Sequence, residues 1–465
     1  MSQDEEHLPA EVTKGDAPVD QRFVDALVAE RVARDLWSRE QLLSYQSRQL
    51  QKTLQHSVEM SPYYREAIGS HVARGAALED LPILTKQTLM SEFDRIVTDR
   101  RLNLAAVEQH IAGQNPDGLL LGEYRICASG GTTGVRSVVA YDRGAWASTL
   151  ADFFRFQRMF GAGLGCRIIG IGSPSPFHLS YQVWGRLPSA EQAVPRLSVT
   201  MPLSGVVKAL NAYQPEYLLT FPSFLRRLAE EQQAGRLRIS PKIFRTGAEA
   251  LTQDVRELCR EVWGVPVLNG YAITEAGVLG GECLHAAGMH LAEDTAVFEV
   301  VDDAGRAVRA GGQGTKLLVT SLTNRVFPLI RYEVSDILSL TDQPCICGRP
   351  YARTASIEGR REETLLFPAR GGGTVAVHAA RLRTPLVRTA GIRQYQIRRL
   401  PDGLAIRISL RDDRRQEDVQ SIVGQEVRRV LAAAGAIIGK VIVDVVDDIE
   451  PEGTGGKERL IVAGE

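Results

Sequence analysis

Residues 128–136 read ASGGTTGVR, and the chemistry open to such a run is to hold an anion. Glycines let successive backbone N–H groups converge on one oxyanion, and Ser129, Thr132 and Thr133 add hydroxyl donors. The run lacks the G-K-[ST] ending of a mononucleotide P-loop. A second glycine-rich run, GAGLGCRIIG, puts its glycines before a strand-like stretch instead of after it, which is the wrong order for a dinucleotide fold. The composition of ASGGTTGVR would also suit an unstructured linker. Against that reading, the apolar YRICA before it and the β-branched SVVAYD after it frame a tight connection between two strands.

A second chemistry-bearing group is soft. Cys345 and Cys347 flank one residue in CICGR, and CLHAAGMH upstream offers Cys283 and His290, with His285 as a competing donor. Cys283, His290, Cys345 and Cys347 together form a Cys₃His set, the count and softness of tetrahedral structural zinc, with no open position for catalysis. The alternative is a group of free buried thiols. Cys127, Cys166 and Cys259 lie in apolar contexts and are expected in the core.

The elements that must position these groups follow from the pattern along the chain. Its 465 residues exceed what one hydrophobic core fills, so more than one domain is expected. A 44% hydrophobic and 24% charged composition is that of a globular protein, and a net charge of -1 gives no electrostatic footprint for nucleic acid or an anionic membrane. The first residues, MSQDEEHLPAEVTKGDAPVD, are acidic and polar and lack the features of a signal peptide, and no apolar run approaches the roughly 18 residues of a membrane span. A cytoplasmic location is the expectation. Six cysteines are too few for a disulfide framework in a chain of this size.

Residues 1–20 read as a flexible leader, and helical spacing from Gln21 to Ala67 predicts a helical N-terminal segment able to support a homodimer. LEDLPILTKQTLMSEF predicts another helix with Thr85 as its cap. Asp142 caps a helix whose apolar face carries Trp146, Leu150, Phe153, Phe154 and Phe160. CRIIGIG, YLLTF, KIFRTGAEAL and VPVLNGY then alternate with helical stretches, predicting parallel strands with crossover helices, an α/β architecture. From Val297 to Ser339 the pattern turns to β, and after Gly359 a hairpin about P-D-G, an amphipathic helix and the strand KVIVDVVD predict a small α+β lid-like domain. The expected division is therefore 21–359 for a large domain and 360–465 for a small one.

TGAEAL (246–251), NGYAITEAG (269–277), IRYEVSD (330–336), IEGRREE (357–363) and GTGGKERLIV (453–462) follow the glycine-rich run in order. In that order and rough spacing the chain resembles the adenylate-forming acid ligases, and MSPYYREAI, LEDLPILTKQTL and CICGR make it similar to their phenylacetate-CoA ligase branch, from about Gln41 to Val462. The resemblance implies a large ATP- and acid-binding domain of mixed sheets and helices with a β-rich part, and a small mobile C-terminal domain hinged near Arg361-Glu362. It implies that Ser129, Gly130, Gly131, Thr132, Thr133 and Gly134 clamp the departing phosphates of ATP. Gly247, Ala248 and Glu249 would pack on adenine, Tyr271 would stack on it, Thr274 would bind the α-phosphate and Glu275 would hold Mg²⁺. Asp336 would take the ribose hydroxyls with Arg360 beside them, and Lys457 would bridge acid and α-phosphate. Where the family has a lysine after the glycine-rich run, this chain has Val135-Arg136.

The expected reaction is ATP-dependent activation of a carboxylic acid, an aromatic one by branch resemblance, with acyl transfer to a thiol such as coenzyme A. An amine-type nucleophile, a carrier protein, or transfer of AMP to an acceptor cofactor are the alternatives, because FPARGGGTVAVHAARL stands where the branch has RGVNVFP, and GSPSPFHLSYQVWG replaces a glycine-rich pocket stretch. Phe177, His178, Phe221, Pro222 and Ser223, flanking strand ends, are the candidates for the acid pocket, with His178 equally able to be a structural histidine.

Overall fold

The computed structural model describes residues 21–113, 115, 118–129, 136–159, 166–184, 196–285, 288–309, 311–312, 314–334, 336–341, 343–360, 364–378, 382, 385–386, 389, 391–410, 416–447, 449 and 461–462. They fall into two compact units, Met1–Val334 with Ser339–Ser356, and Ser335–Leu338 with Ile357–Glu465.

The first unit opens on α1 (Gln21–Arg34), α2 (Arg39–Met60) and α3 (Pro62–Ala73). The sequence shows one helical pattern here; two serines divide it. Ser38 caps α2 with a reciprocal bond to Gln41, and Ser61 caps α3, where Pro62 occupies the first turn and needs no N–H partner. Three short helices follow, α4 (Lys86–Ser91), α5 (Phe93–Ile96) and α6 (Leu104–Ala112), the first capped by Thr85 as its sequence predicts.

An antiparallel pair, β1 (Arg125–Ala128) and β2 (Val138–Tyr141), then brackets the glycine-rich run, with Ala128 opposite Val138. Next come α7 (Arg143–Arg158), β3 (Ile168–Gly172), α8 (Leu179–Trp184), β4 (Arg196–Ser198), α9 (Leu203–Tyr213), β5 (Tyr217–Thr220), α10 (Pro222–Gln233), β6 (Ile243–Thr246) and α11 (Gln253–Trp263). The chain continues through β7 (Val267–Ile273), β8 (Gly277–Glu282), β9 (Met289–Leu291), β10 (Ala296–Val301), β11 (Lys316–Ser321), β12 (Tyr332–Val334), β13 (Asp336–Thr341) and β14 (Arg353–Arg360). The large sheet has the order β13-β14-β9-β8-β7-β6-β5-β3-β4. From β4 to β7 its pairs are parallel, with helices as crossovers; at β8 it turns antiparallel. Gly277 makes that turn. Its φ of 77 lies in the left-handed region, and a Cβ there would sit 2.8 Å from Thr149 Oγ1 of α7. Strands β10, β11 and β12 form a separate antiparallel sheet.

Helix α7 is held by Asp142, which accepts from the Ala145 N–H, and buries Trp146, Leu150 and Phe153; Phe160 lies outside the described residues. Less expected is the charge it buries. Arg155 is fully buried with Asp294 2.8 Å away, Asp294 also pairs with Arg34 of α1 at 3.1 Å, and Asp152 pairs with Arg31 at 3.0 Å. Helix α1 thus docks through ion pairs that a helical wheel alone would assign to solvent.

The second unit has its own sheet, β19-β18-β17-β20, formed by β17 (Ile392–Leu400), β18 (Gly403–Leu410), β19 (Lys440–Val445) and β20 (Ile461–Val462). Helix α12 (Gln416–Ala433) covers it, burying Val419, Val423, Val427 and Leu431 against Ile397, Leu404, Ile406 and Ile408. The P-D-G turn closes the β17–β18 hairpin, with Leu400 opposite Gly403. A further hairpin, β15 (Thr364–Pro368) and β16 (Thr374–His378), adds Leu365, Phe367 and Val377 to this core. It was not among the sequence expectations. Among the described residues no helix is long and apolar enough to cross a membrane.

Candidate active site

The two ends of the glycine-rich run are locked to each other. Ser129 N–H donates to the Ser137 carbonyl at 2.9 Å, and Ser137 N–H donates back to Ser129 Oγ at 3.0 Å. Gly130, Gly131, Thr132, Thr133 and Gly134 themselves lie outside the described residues. Ser137 is fully buried, and its hydroxyl reaches Glu275 Oε1 while lying 2.9 Å from Ser129 Oγ. Ser137 Oγ is oriented as donor toward both Glu275 Oε1 and Ser129 Oγ, and its single proton can serve only one of them at a time. Tyr332 OH donates to the same Glu275 oxygen at 3.1 Å.

Glu275 and Thr274 occupy the turn between β7 and β8. Glu275 is 7% exposed. The Thr274 carbonyl accepts from Tyr141 OH at 2.7 Å. Burial raises the Tyr141 phenol well above its ordinary value, with Cys127 and Glu275 adding to the shift, so it remains a proton donor at any working pH. Tyr271, two-thirds along β7, is buried. After β6, Ala248 takes a φ of 66, a left-handed backbone rarely adopted by a residue with a Cβ. The next residue, Glu249, accepts from the Ser223 N–H at 3.1 Å, satisfying the first turn of α10 behind Pro222. Gly247 packs against the carbonyl of Gly270 on β7.

The Phe177 carbonyl accepts from Ala128 N–H at 2.8 Å, which ties the end of β1 to the start of α8. His178 is buried; its Nδ1 accepts from the Ser180 N–H at 3.2 Å and lies 2.7 Å from Ser180 Oγ. Phe221, fully buried at the end of β5, has its ring 6.2 Å from that of Trp184. Trp184 in turn lies over β3, where a Cβ on Gly172 would meet the indole at 2.7 Å. Asp336, first residue of β13, and Arg360, last of β14, belong to the second unit, and the Arg360 side chain is outside the described residues, as is Lys457.

Sequence reasoning overlooked Ser137, Tyr141 and Tyr332. A signal existed for the first two: in SVVAY, Ser137, Val139 and Tyr141 alternate at the period of a strand and share one face. Tyr332 sits within the IRYEVSD motif, whose strand is braced by the other branch-specific stretches. Tyr64 of MSPYYREAI donates to the Pro328 carbonyl at 3.0 Å, and Leu84 of LEDLPILTKQTL exchanges backbone hydrogen bonds with Arg331 and Glu333 at 3.0 and 2.9 Å.

At the other end of β8, Cys283, His290, Cys345 and Cys347 bring one donor atom each within 4.8 Å of one another. Cys283 Sγ is 3.7 Å from Cys345 Sγ, and Cys347 Sγ is 3.4 Å from His290 Nε2. Burial, with Arg349 and Arg353 nearby, lowers the His290 imidazole to about 4, so it is neutral and able to act as a ligand; burial pushes the Cys283 thiol up to about 11. Cys127 and Cys259 are buried in the core and Cys166 is half-buried.

The large sheet, parallel with an antiparallel continuation, thus carries a buried carboxylate, Glu275, bonded to Ser137 just after the glycine-rich run. The family model "AMP-binding enzyme" matches residues 76–321, more than half of the chain, and the protein belongs to that family. Within it the chain is similar to the phenylacetate-coenzyme A ligases of Thermus thermophilus and Escherichia coli. The first is 28% identical over 77% of this chain and 78% of its own length, and the second 29% identical over 80% and 83%. Among solved structures, 2-hydroxyisobutyryl-CoA ligase in the postadenylation state, in complex with R3-HIB-AMP, superposes with a TM-score of 0.74 at 18% identity, covering 93% of this chain and 91% of its own.

Proposed function

We propose that the protein activates a carboxylic acid, an aromatic one, with ATP and passes the acyl group to the thiol of coenzyme A. The observation that supports this most is the hydrogen-bonded junction of Ser129, Ser137, Glu275 and Tyr332, which joins three of the ordered motifs at one buried carboxylate. A carboxylate cannot lose oxide, so it must first be given a better leaving group. Its oxygen attacks the α-phosphorus of ATP, the bond to the bridging oxygen of pyrophosphate breaks, and an acyl adenylate forms. The thiol sulfur then attacks the acyl carbon and AMP departs with the electron pair.

In this reading residues 129–134 hold the departing phosphates, Tyr271 and residues 247–249 the base, Thr274 the α-phosphate, and Asp336 and Arg360 the ribose. Lys457 supplies positive charge between acid and phosphate as the new bond forms. Glu275 is suited to Mg²⁺. Both hydroxyl donors address its Oε1, which restrains the orientation of a hard carboxylate that would suit a small cation. Bound there, Mg²⁺ would neutralise phosphate charge.

The Cys₃His group is suited to structural zinc. Tetrahedral bonds of about 2.3 Å to sulfur and about 2.0–2.1 Å to nitrogen imply S···S edges of about 3.8 Å and S···N edges of about 3.5 Å. The observed 3.7 and 3.4 Å lie close to both. Metal analysis of the purified protein tests this, one equivalent of zinc per chain being expected.

Acid-dependent exchange of pyrophosphate into ATP, run over aryl and alkyl acids, tests the first half-reaction. Exchange is expected with an aryl acid and its loss in Lys457→Ala, with the melting temperature unchanged. Nucleotide binding without exchange for any acid would sink the reading. The replaced thiol-side segment, FPARGGGTVAVHAARL, favours one second reading, in which the adenylate is given to an amine or a carrier protein. Exchange without thioester formation on adding coenzyme A would select it.

A further inference from the structure

We propose that Ser137 is a positioning residue that fixes the metal-binding rotamer of Glu275. The proposal rests on the reading of Glu275 as the Mg²⁺ carboxylate and assigns a role to a residue outside the motifs that reading uses.

Ser137 has no solvent exposure, so its hydroxyl must find partners in the protein, and it finds two. Its Oγ faces Glu275 Oε1 as a donor and lies 2.9 Å from Ser129 Oγ, so one buried hydroxyl stands between the carboxylate and Ser129. Tyr332, itself 3% exposed, adds the second donor to Oε1 at 3.1 Å. With both donors on one oxygen, the orientation of the carboxylate is restrained. Outer hydrogen bonds of this kind orient a metal-binding carboxylate and tune its affinity. The same serine also joins Ser129 through its backbone, donating from N–H to Ser129 Oγ at 3.0 Å and accepting from Ser129 N–H at 2.9 Å.

The test is Mn²⁺ binding to the full chain in the presence of a non-hydrolysable ATP analogue, followed by electron paramagnetic resonance of free Mn²⁺. Ser137→Ala is expected to raise the Mn²⁺ dissociation constant about tenfold, the lower end of the range for removing an outer partner of a metal ligand. Ser137→Thr, which keeps the hydroxyl, is expected to bind close to wild type, and Glu275→Gln to lose nucleotide-dependent binding. Equal Mn²⁺ affinity in wild type and Ser137→Ala, with binding lost in Glu275→Gln, would overturn the proposal while leaving the role of Glu275 intact. Wild-type affinity in Glu275→Gln would overturn both. Should Ser137→Ala fail to fold, Tyr332→Phe removes the other donor; weakened Mn²⁺ binding supports the positioning role, and unchanged binding overturns it.

Discussion

Arg136 stands between the glycine-rich run and β2, exposed, one residue before the buried Ser137. In the resembled family a lysine follows this run. A guanidinium reaches phosphate with a planar fork where an ammonium offers a compact charge, so the exchange keeps the charge and changes the geometry. Arg136→Ala is expected to raise the KM for ATP about 10-fold or more, since a hydrogen bond to a charged group contributes about 1.5–3 kcal/mol. Steady-state titration of ATP at saturating acid measures it, and an unchanged KM would remove Arg136 from the phosphate site. The hydroxyls behind it were harder to see. A serine in SVVAYD has no composition signal, and its partner Glu275 lies 138 residues away. Glycines and ordered motifs are visible along the chain; the hydrogen bonds that make a carboxylate directional are a product of tertiary contact.

At the scale of elements, the alternation of apolar strands with amphipathic helices foretold the parallel half of the large sheet, because strands covered on both faces must be apolar throughout. The P-D-G hairpin and the helix after it were equally plain. Helix α1 shows the limit of such reading. Two of its arginines, Arg31 and Arg34, look like a solvated face but are buried against Asp152 and Asp294. Charged residues in a helix do not announce burial when their counterions are supplied by α7 and by the stretch between β9 and β10. Asp294→Ala would leave Arg34 and the fully buried Arg155 without this carboxylate, and is expected to destabilise the first unit by about 3–5 kcal/mol. Denaturant melts followed by tryptophan fluorescence would show it, as Trp146 lies on the α7 face. A loss below about 1 kcal/mol, the worth of an exposed pair, would mean these charges are hydrated in solution.

At the scale of the whole molecule, each unit carries its own apolar core, and the Cys₃His group belongs to only one of them. Cys283 follows β8, His290 lies within β9 opposite Arg353 of β14, and Cys345 and Cys347 precede β14. A metal on these four residues would clamp one end of the large sheet's antiparallel part, while the sheet under α12 shares no residue with it. The same loop is tied to the N-terminal helices, since Arg349 pairs with Asp35 at 3.0 Å. Removing the metal should therefore act on one unit. In calorimetry of the full chain, a strong chelator is expected to lower the unfolding temperature of the first unit by several degrees, consistent with about 2 °C or more per kcal/mol lost in a domain of this size. The transition of the second unit should stay in place, and Cys347→Ser should reproduce the shift without chelator. A melt indifferent to both treatments would show that the four donors stabilise the sheet as free thiols and a neutral imidazole.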